Sequence, residues 1–226
     1  MSGGPTYYGG DVGYLVVRGR YLRLMKARGA ESFLRYQLEA ARDCRAALLE
    51  YPTLRIELLG WHYACLLSLG ALDDALFVDF THHSGGWRGV VWAGFLAVLD
   101  PRPSFEAPLE AIRERVPHNQ WLVDAALAEI RGEAPAPAQR LFVEYVVGLR
   151  ELLFEVPRMV VPLRRTPTPE QSEQIERERE AVRRAYHQEG PTAARALLPG
   201  TLLQTYLLDY PEWIQATRRA ARRPSQ

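Results

Sequence analysis

The sequence predicts an all-α protein. Apolar residues recur at intervals of three and four along almost every segment and almost nowhere at two, the spacing of helix faces. Glycines and prolines cut the chain into helix-length pieces with short connections, which is the pattern of antiparallel helical hairpins. Of the 226 residues, 47% are hydrophobic and 24% charged, so the chain has the composition of a folded globular body and not of a disordered one.

The elements follow in order. After a glycine-rich leader, Asp11–Arg28 carries Leu15, Leu22 and Met25 on one stripe, and Gly29 supplies a stop. Leu34, Leu38, Ala41 and Leu48 line the next helix, which Pro52 closes. Leu54–Leu69 follows, with a break at Gly70, then a segment from Leu72 to about His83. Gly85 and Gly86 make a second break. The stretch from Gly89 to Leu99 has no charged residue and reads as the end of a helix, Trp87–Leu99, buried on most sides; it is too short to span a bilayer. Asp100-Pro101 ends it. Pro103–Val116 and Asn119–Ile130 form another pair, closed by Gly132.

An Ala/Pro linker at 134–137 precedes a long helix with Leu141, Tyr145, Leu149 and Leu152 on its stripe, ended by Pro157. Met159-Val160-Val161, framed by prolines, is the one plausible strand, and one strand makes no sheet. The strongest local signal is Thr168-Pro169-Glu170-Gln171. A capping threonine, a proline at the first helical position and a glutamine at the capping-box position predict a helix start, and Gly190 a stop. That helix mixes Glu173/Arg177 attraction with Glu176/Glu180 and Arg179/Arg183 repulsion, as expected of a solvated surface helix. Short helices at Ala193–Leu198 and Leu202–Leu208 lead to a last amphipathic helix from Pro211 with Trp213, Ile214 and Ala216. The expected organisation is a helical body at 1–157 and a C-terminal helical segment at 158–226 packed on it, with a single domain as the alternative.

Trp61, Trp92 and Trp121 each open a similar apolar helical stretch, at spacings of 31 and 29 residues. Leu69-Gly70-Ala71-Leu72-Asp73-Asp74-Ala75-Leu76 resembles the turn of a tetratricopeptide repeat, with Gly70 opening the turn and Ala75 as the small residue where two helices cross. The resemblance covers about residues 56–83. Tyr63 stands where that family usually has a small residue, the later two units match poorly, and the second has no matching Gly-x-x-x-x-Ala turn. It implies a helical-hairpin array; a less regular α–α stack, in which stacking neighbours supply each other's core, fits the same sequence.

Charge narrows the function classes. With 28 basic and 27 acidic residues the net charge is +1, which argues against a general pull towards nucleic acid or anionic membrane. Lys26 is the only lysine, and this arginine bias together with abundant Ala and Leu is what a GC-rich, bacterial coding genome yields. The two cysteines, Cys44 and Cys65, sit inside apolar helical patterns and read as buried hydrophobes, with a single Cys44–Cys65 bridge left open. No secretory signal is visible, so a cytoplasmic address is expected.

Chemistry-bearing residues cluster in Asp79-Phe80-Thr81-His82-His83-Ser84-Gly85-Gly86-Trp87-Arg88. Asp79 and His83 are four apart and superpose on a helix, which suits two ligands of one metal, and His82 joins them only if the helix ends first. Histidines at a helix C-terminus also interact favourably with the helix dipole without any metal, and no metal or cofactor is expected here. As a contact surface the segment is more attractive, because His, Trp and Arg beside two glycines are favoured at interface hot spots. Asp79, His82, His83, Trp87 and Arg88 are therefore the candidate partner-binding residues.

Ser68 and Ser84 lack a nucleophile elbow, and neither a phosphate-binding loop nor a dinucleotide fingerprint occurs. The arginines at 218, 219, 222 and 223 are the one feature for a nucleic-acid-associated regulator, and a last helical turn favours such residues anyway. The expected function is a non-catalytic protein-binding module whose partner is another protein, of the adaptor or toxin-neutralising immunity kind. A metal-dependent hydrolase built on Asp79, His82 and His83 is the alternative.

Overall fold

The computed structural model describes residues 4–18, 26–50, 60–82 and 85–221. Among them are twelve α-helices and no strand, so the protein is all-α. The helices are α1 (Gly9–Arg18), α2 (Ala27–Glu50), α3 (Gly60–Ala71), α4 (Asp74–Thr81), α5 (Gly86–Leu99), α6 (Glu106–Ile112), α7 (Gln120–Arg131), α8 (Arg140–Phe154), α9 (Pro169–Glu189), α10 (Pro191–Ala196), α11 (Leu202–Leu207) and α12 (Tyr210–Ala221). The chain divides into two compact units, Met1–Leu163 and Arg164–Gln226.

In the first unit α5 is the central element. Gly89–Leu99 is buried without interruption, because eleven consecutive uncharged residues leave no helix face that water would favour. It packs against α4, α7, α8 and α3, while α2 lies along α8, with the Leu38 side chain over Gly148. Aromatic contacts tie the three tryptophans into this core. Trp61 meets Phe95, Trp92 stacks on Phe95, and Trp121 lies edge-on to Phe142. The Trp92 indole N–H donates to Ser68 Oγ at 3.1 Å, which gives that buried hydroxyl a structural partner.

Several boundaries differ from the sequence expectation, each for a local reason. Gly29 is no stop; it lies in the first turn of α2 and its N–H donates to the Lys26 carbonyl. Gly70 is no break either, since α3 continues to Ala71. The interruption falls at Leu72–Asp73, where Asp73 has extended backbone and its Oδ1 accepts from Leu76 N at 2.7 Å as the N-cap of α4. Gly70 is needed for close approach instead, because a Cβ there would lie under 3.0 Å from the Met159 backbone carbonyl. Met159-Val160-Val161 forms no strand; Val161 is buried and Val160 exposed. Helix α8 stops at Phe154, before Pro157. Leu22, Met25, residues 54–59 and the Cys44 side chain lie outside the described residues, and Cys65 is a buried free thiol.

The second unit begins with α9, and its capping box is present as the sequence predicts. Thr168 Oγ1 accepts from Gln171 N at 3.3 Å, and Gln171 Oε1 accepts from Thr168 N at 3.0 Å. The like-charge spacings on α9 are relieved by three-residue pairs, Arg179 with Glu176 and Arg183 with Glu180. The Leu203 N–H at the start of α11 donates to Glu178 at 2.8 Å and holds that carboxyl below its ordinary range. Arg164 donates to the Thr205 carbonyl and lies over the rings of Tyr206 and Trp213. Trp213 and Ile214 of α12 are buried, whereas Ala216 is exposed.

Candidate functional site

The segment from Asp73 to Gly89 is shaped by Gly85, Gly86 and Gly89 and by Asp73 and Asp79. Thr81 Oγ1 turns back onto the Val78 carbonyl at 2.9 Å in the last turn of α4. His82 then takes extended backbone as the C-cap, its N–H donating to the Asp79 carbonyl and its own carbonyl accepting from Gly85 N at 3.0 Å. Gly86 has φ +56°, in the left-handed region that glycine occupies without steric cost. Gly85 and Gly89 serve proximity, because a Cβ at either would lie under 3.0 Å from the Phe80 carbonyl oxygen. The Arg115 guanidinium donates to the Thr81 carbonyl at 2.8 Å, satisfying one orphan acceptor at the end of α4. The glycines thus bring the start of α5 close to the Phe80 backbone at the end of α4.

Asp79 points away from solvent. Its two carboxylate oxygens accept the consecutive backbone N–H groups of Thr6 at 2.9 Å and Tyr7 at 2.6 Å. The Tyr7 hydroxyl donates to Asp73 Oδ2 at 2.6 Å, while the other oxygen of Asp73 caps α4. Two adjacent donors require two acceptors held side by side, and a carboxylate is the side chain that supplies them. The aspartates at each end of α4 therefore tether residues 6–7, which lead directly into α1.

That tether sets α1 beside the α4–α5 junction, and a cleft of about 270 Å³ lies there. Val12, Gly13, Val16 and Val17 of α1 line it together with Asp79 and Arg88. Val17 is 53% exposed, so part of the apolar wall faces solvent. Arg88 is exposed, and among the described residues no carboxylate pairs with it. Its guanidinium carbon lies 5.1 Å from the ring centroid of Trp87, which is half-buried.

Of the five residues that the sequence singles out, Asp79 and Arg88 line one cleft, Trp87 adjoins Arg88, and His82 is a half-buried helix cap. His83 and Ser84 lie outside the described residues. The α1 valines and the tethered segment are absent from the sequence reading. The signal was the continuous Val16-Val17 pair, in which one residue must face away from a helix's buried stripe.

Other reactive groups are placed for structure. Among the described residues no three His, Cys, Asp or Glu side chains converge as metal ligands would. Burial pushes the Cys65 thiol well up from its ordinary range, away from nucleophilic thiolate. His62 is buried, lies edge-on to Trp61, and among the described residues neither ring nitrogen has a hydrogen-bond partner. Burial lowers its pKa to about 4, against a weak upward pull from the Gln37 backbone, so the ring is neutral near pH 7. No helix of the described residues is long and apolar enough to cross a membrane. No protein-family model, curated protein or solved structure matches the chain.

Proposed function

We propose that this chain is a non-catalytic protein-binding module that meets its partner where α1 adjoins the α4–α5 junction. The observation that supports this reading is the pairing of a partly open apolar cleft with an exposed arginine, which no carboxylate pairs among the described residues, and a half-buried tryptophan beside it. Interface hot spots favour Trp and Arg. The cleft is also below the roughly 300–1,000 Å³ typical of small-molecule and cofactor sites, so it suits one or two side chains of another protein. An adaptor or a toxin-neutralising immunity protein would present such an edge.

The metal-hydrolase alternative places Asp79 at the centre of the chemistry. Both oxygens of that carboxylate are already engaged by backbone N–H groups, which weighs against it.

The test is affinity capture of the tagged chain, followed by binding measurements on the partner with Trp87→Ala/Arg88→Ala. The expected result is at least tenfold weaker binding at an unchanged melting temperature. Unchanged affinity would refute the placement of the edge. Stoichiometric zinc or iron in the purified protein, lost in His83→Ala, would favour the hydrolase instead.

A further inference from the structure

The geometry points to a defined ligand chemistry for the α1 cleft: an extended segment of a partner protein presenting an aliphatic side chain next to a carboxylate. This rests on the protein-binding reading above and specifies what that edge recognises. The α1 wall is made of three valines and two glycines, and this apolar surface rewards burial of an aliphatic group. Two charged residues line the cleft, and they are not equivalent. Asp79 is buried and its oxygens are committed to Thr6 and Tyr7, so it is not available to a cationic ligand. Arg88 is exposed and lacks an acidic partner among the described residues, so the charge left to complement is positive. An acidic residue beside the inserted aliphatic one satisfies it, preferably by two parallel bonds to the guanidinium fork.

Gly13 offers a clean way to close the cleft. It lies within α1, and a Cβ there meets no atom within 4 Å, so a larger side chain is accommodated by the backbone and would project into open space lined by the cleft. Replacing a helical glycine also favours the helix itself.

The probe is a fluorescein-labelled Glu-Leu-Glu-Leu-Glu peptide, compared by anisotropy with Lys-Leu-Lys-Leu-Lys and Glu-Ser-Glu-Ser-Glu on the full chain. The acidic leucine peptide is expected to bind saturably and at least tenfold more tightly than either comparison. Gly13→Leu should weaken it at least tenfold with the fold intact by circular dichroism, and Arg88→Glu should reverse the order of the two leucine peptides. Equal binding of all three peptides, or indifference to both variants, overturns the proposal. The same variants distinguish this failure from that of the broader reading. A captured partner whose binding ignores both Gly13→Leu and Arg88→Glu overturns the cleft chemistry alone. Selective peptide binding with no partner captured supports the cleft chemistry and counts against the module reading.

Discussion

Asp79→Asn tests the arrangement that builds the cleft. The substitution keeps the shape of the side chain but leaves one acceptor where two consecutive donors converge, from Thr6 and Tyr7. A hydrogen bond to a charged group contributes about 1.5–3 kcal/mol, and a buried donor left unsatisfied costs about 1–3 kcal/mol more. The Tyr7 N–H is buried, so both contributions apply, and the combined cost is about 2.5–6 kcal/mol if the segment stays in place. That is a large share of the roughly 5–15 kcal/mol by which a domain is stable.

The segment has another way to respond, which is to peel away. Because opening is local, the effect should concentrate at residues 6 and 7. Their amide protection should fall roughly 60- to 20,000-fold, the same free energy at about 1.4 kcal/mol per factor of ten. Hydrogen exchange read by NMR or by peptide-resolved mass spectrometry measures this. Asp74→Asn is the control. Asp74 is exposed and accepts a single bond, from Ser104, so its loss should change stability by no more than about 0.5 kcal/mol. Unaltered exchange at Thr6 and Tyr7 in Asp79→Asn would refute the tether and the positioning of α1 that depends on it.

Three further outcomes follow from individual contacts. Gly89→Ala should destabilise the protein by about 1–3 kcal/mol in urea titration, since its Cβ would collide with the Phe80 carbonyl, whereas Gly13→Ala should not destabilise it. His62 titrates near 6.5 when unfolded and about 4 when folded, so the unfolded state binds the extra proton between those values. Stability is therefore full above pH 6.5 and falls by roughly 3 kcal/mol as pH drops to about 4, and His62→Leu should remove that slope from a series of urea titrations. Thr168→Ala should cost about 1 kcal/mol through loss of the α9 capping box, seen as a lower midpoint for the helical signal of the second unit.

The sequence was most informative where structure depends on neighbours along the chain. Thr168, Pro169 and Gln171 specify the start of α9 within four residues, and the uncharged run to Leu99 marks α5 as buried. It was least informative where a distant backbone atom sets the demand. Gly70 looks like a helix break because glycine often is one, yet its role depends on the Met159 carbonyl far along the chain. Asp79 and His83 share a helical spacing that suits a metal, but the donors that occupy Asp79 are 73 and 72 residues away and leave no local pattern. The cleft was hidden for the same reason, because α1 and the α4–α5 junction meet through contacts between residues far apart along the chain. Trp87 and Arg88 were legible as surface-seeking residue types, while the apolar wall beside them was not.

Site-specific photo-crosslinking tests the central claim most directly. A benzophenone amino acid replaces Val17, on the exposed wall of the cleft, and in a parallel variant replaces Leu141, an exposed residue of α8 that does not line it. Illumination in the native cells should give one dominant protein adduct from position 17 and none from position 141. No adduct from position 17, or the same adduct from both, would contradict recognition of a partner at this edge.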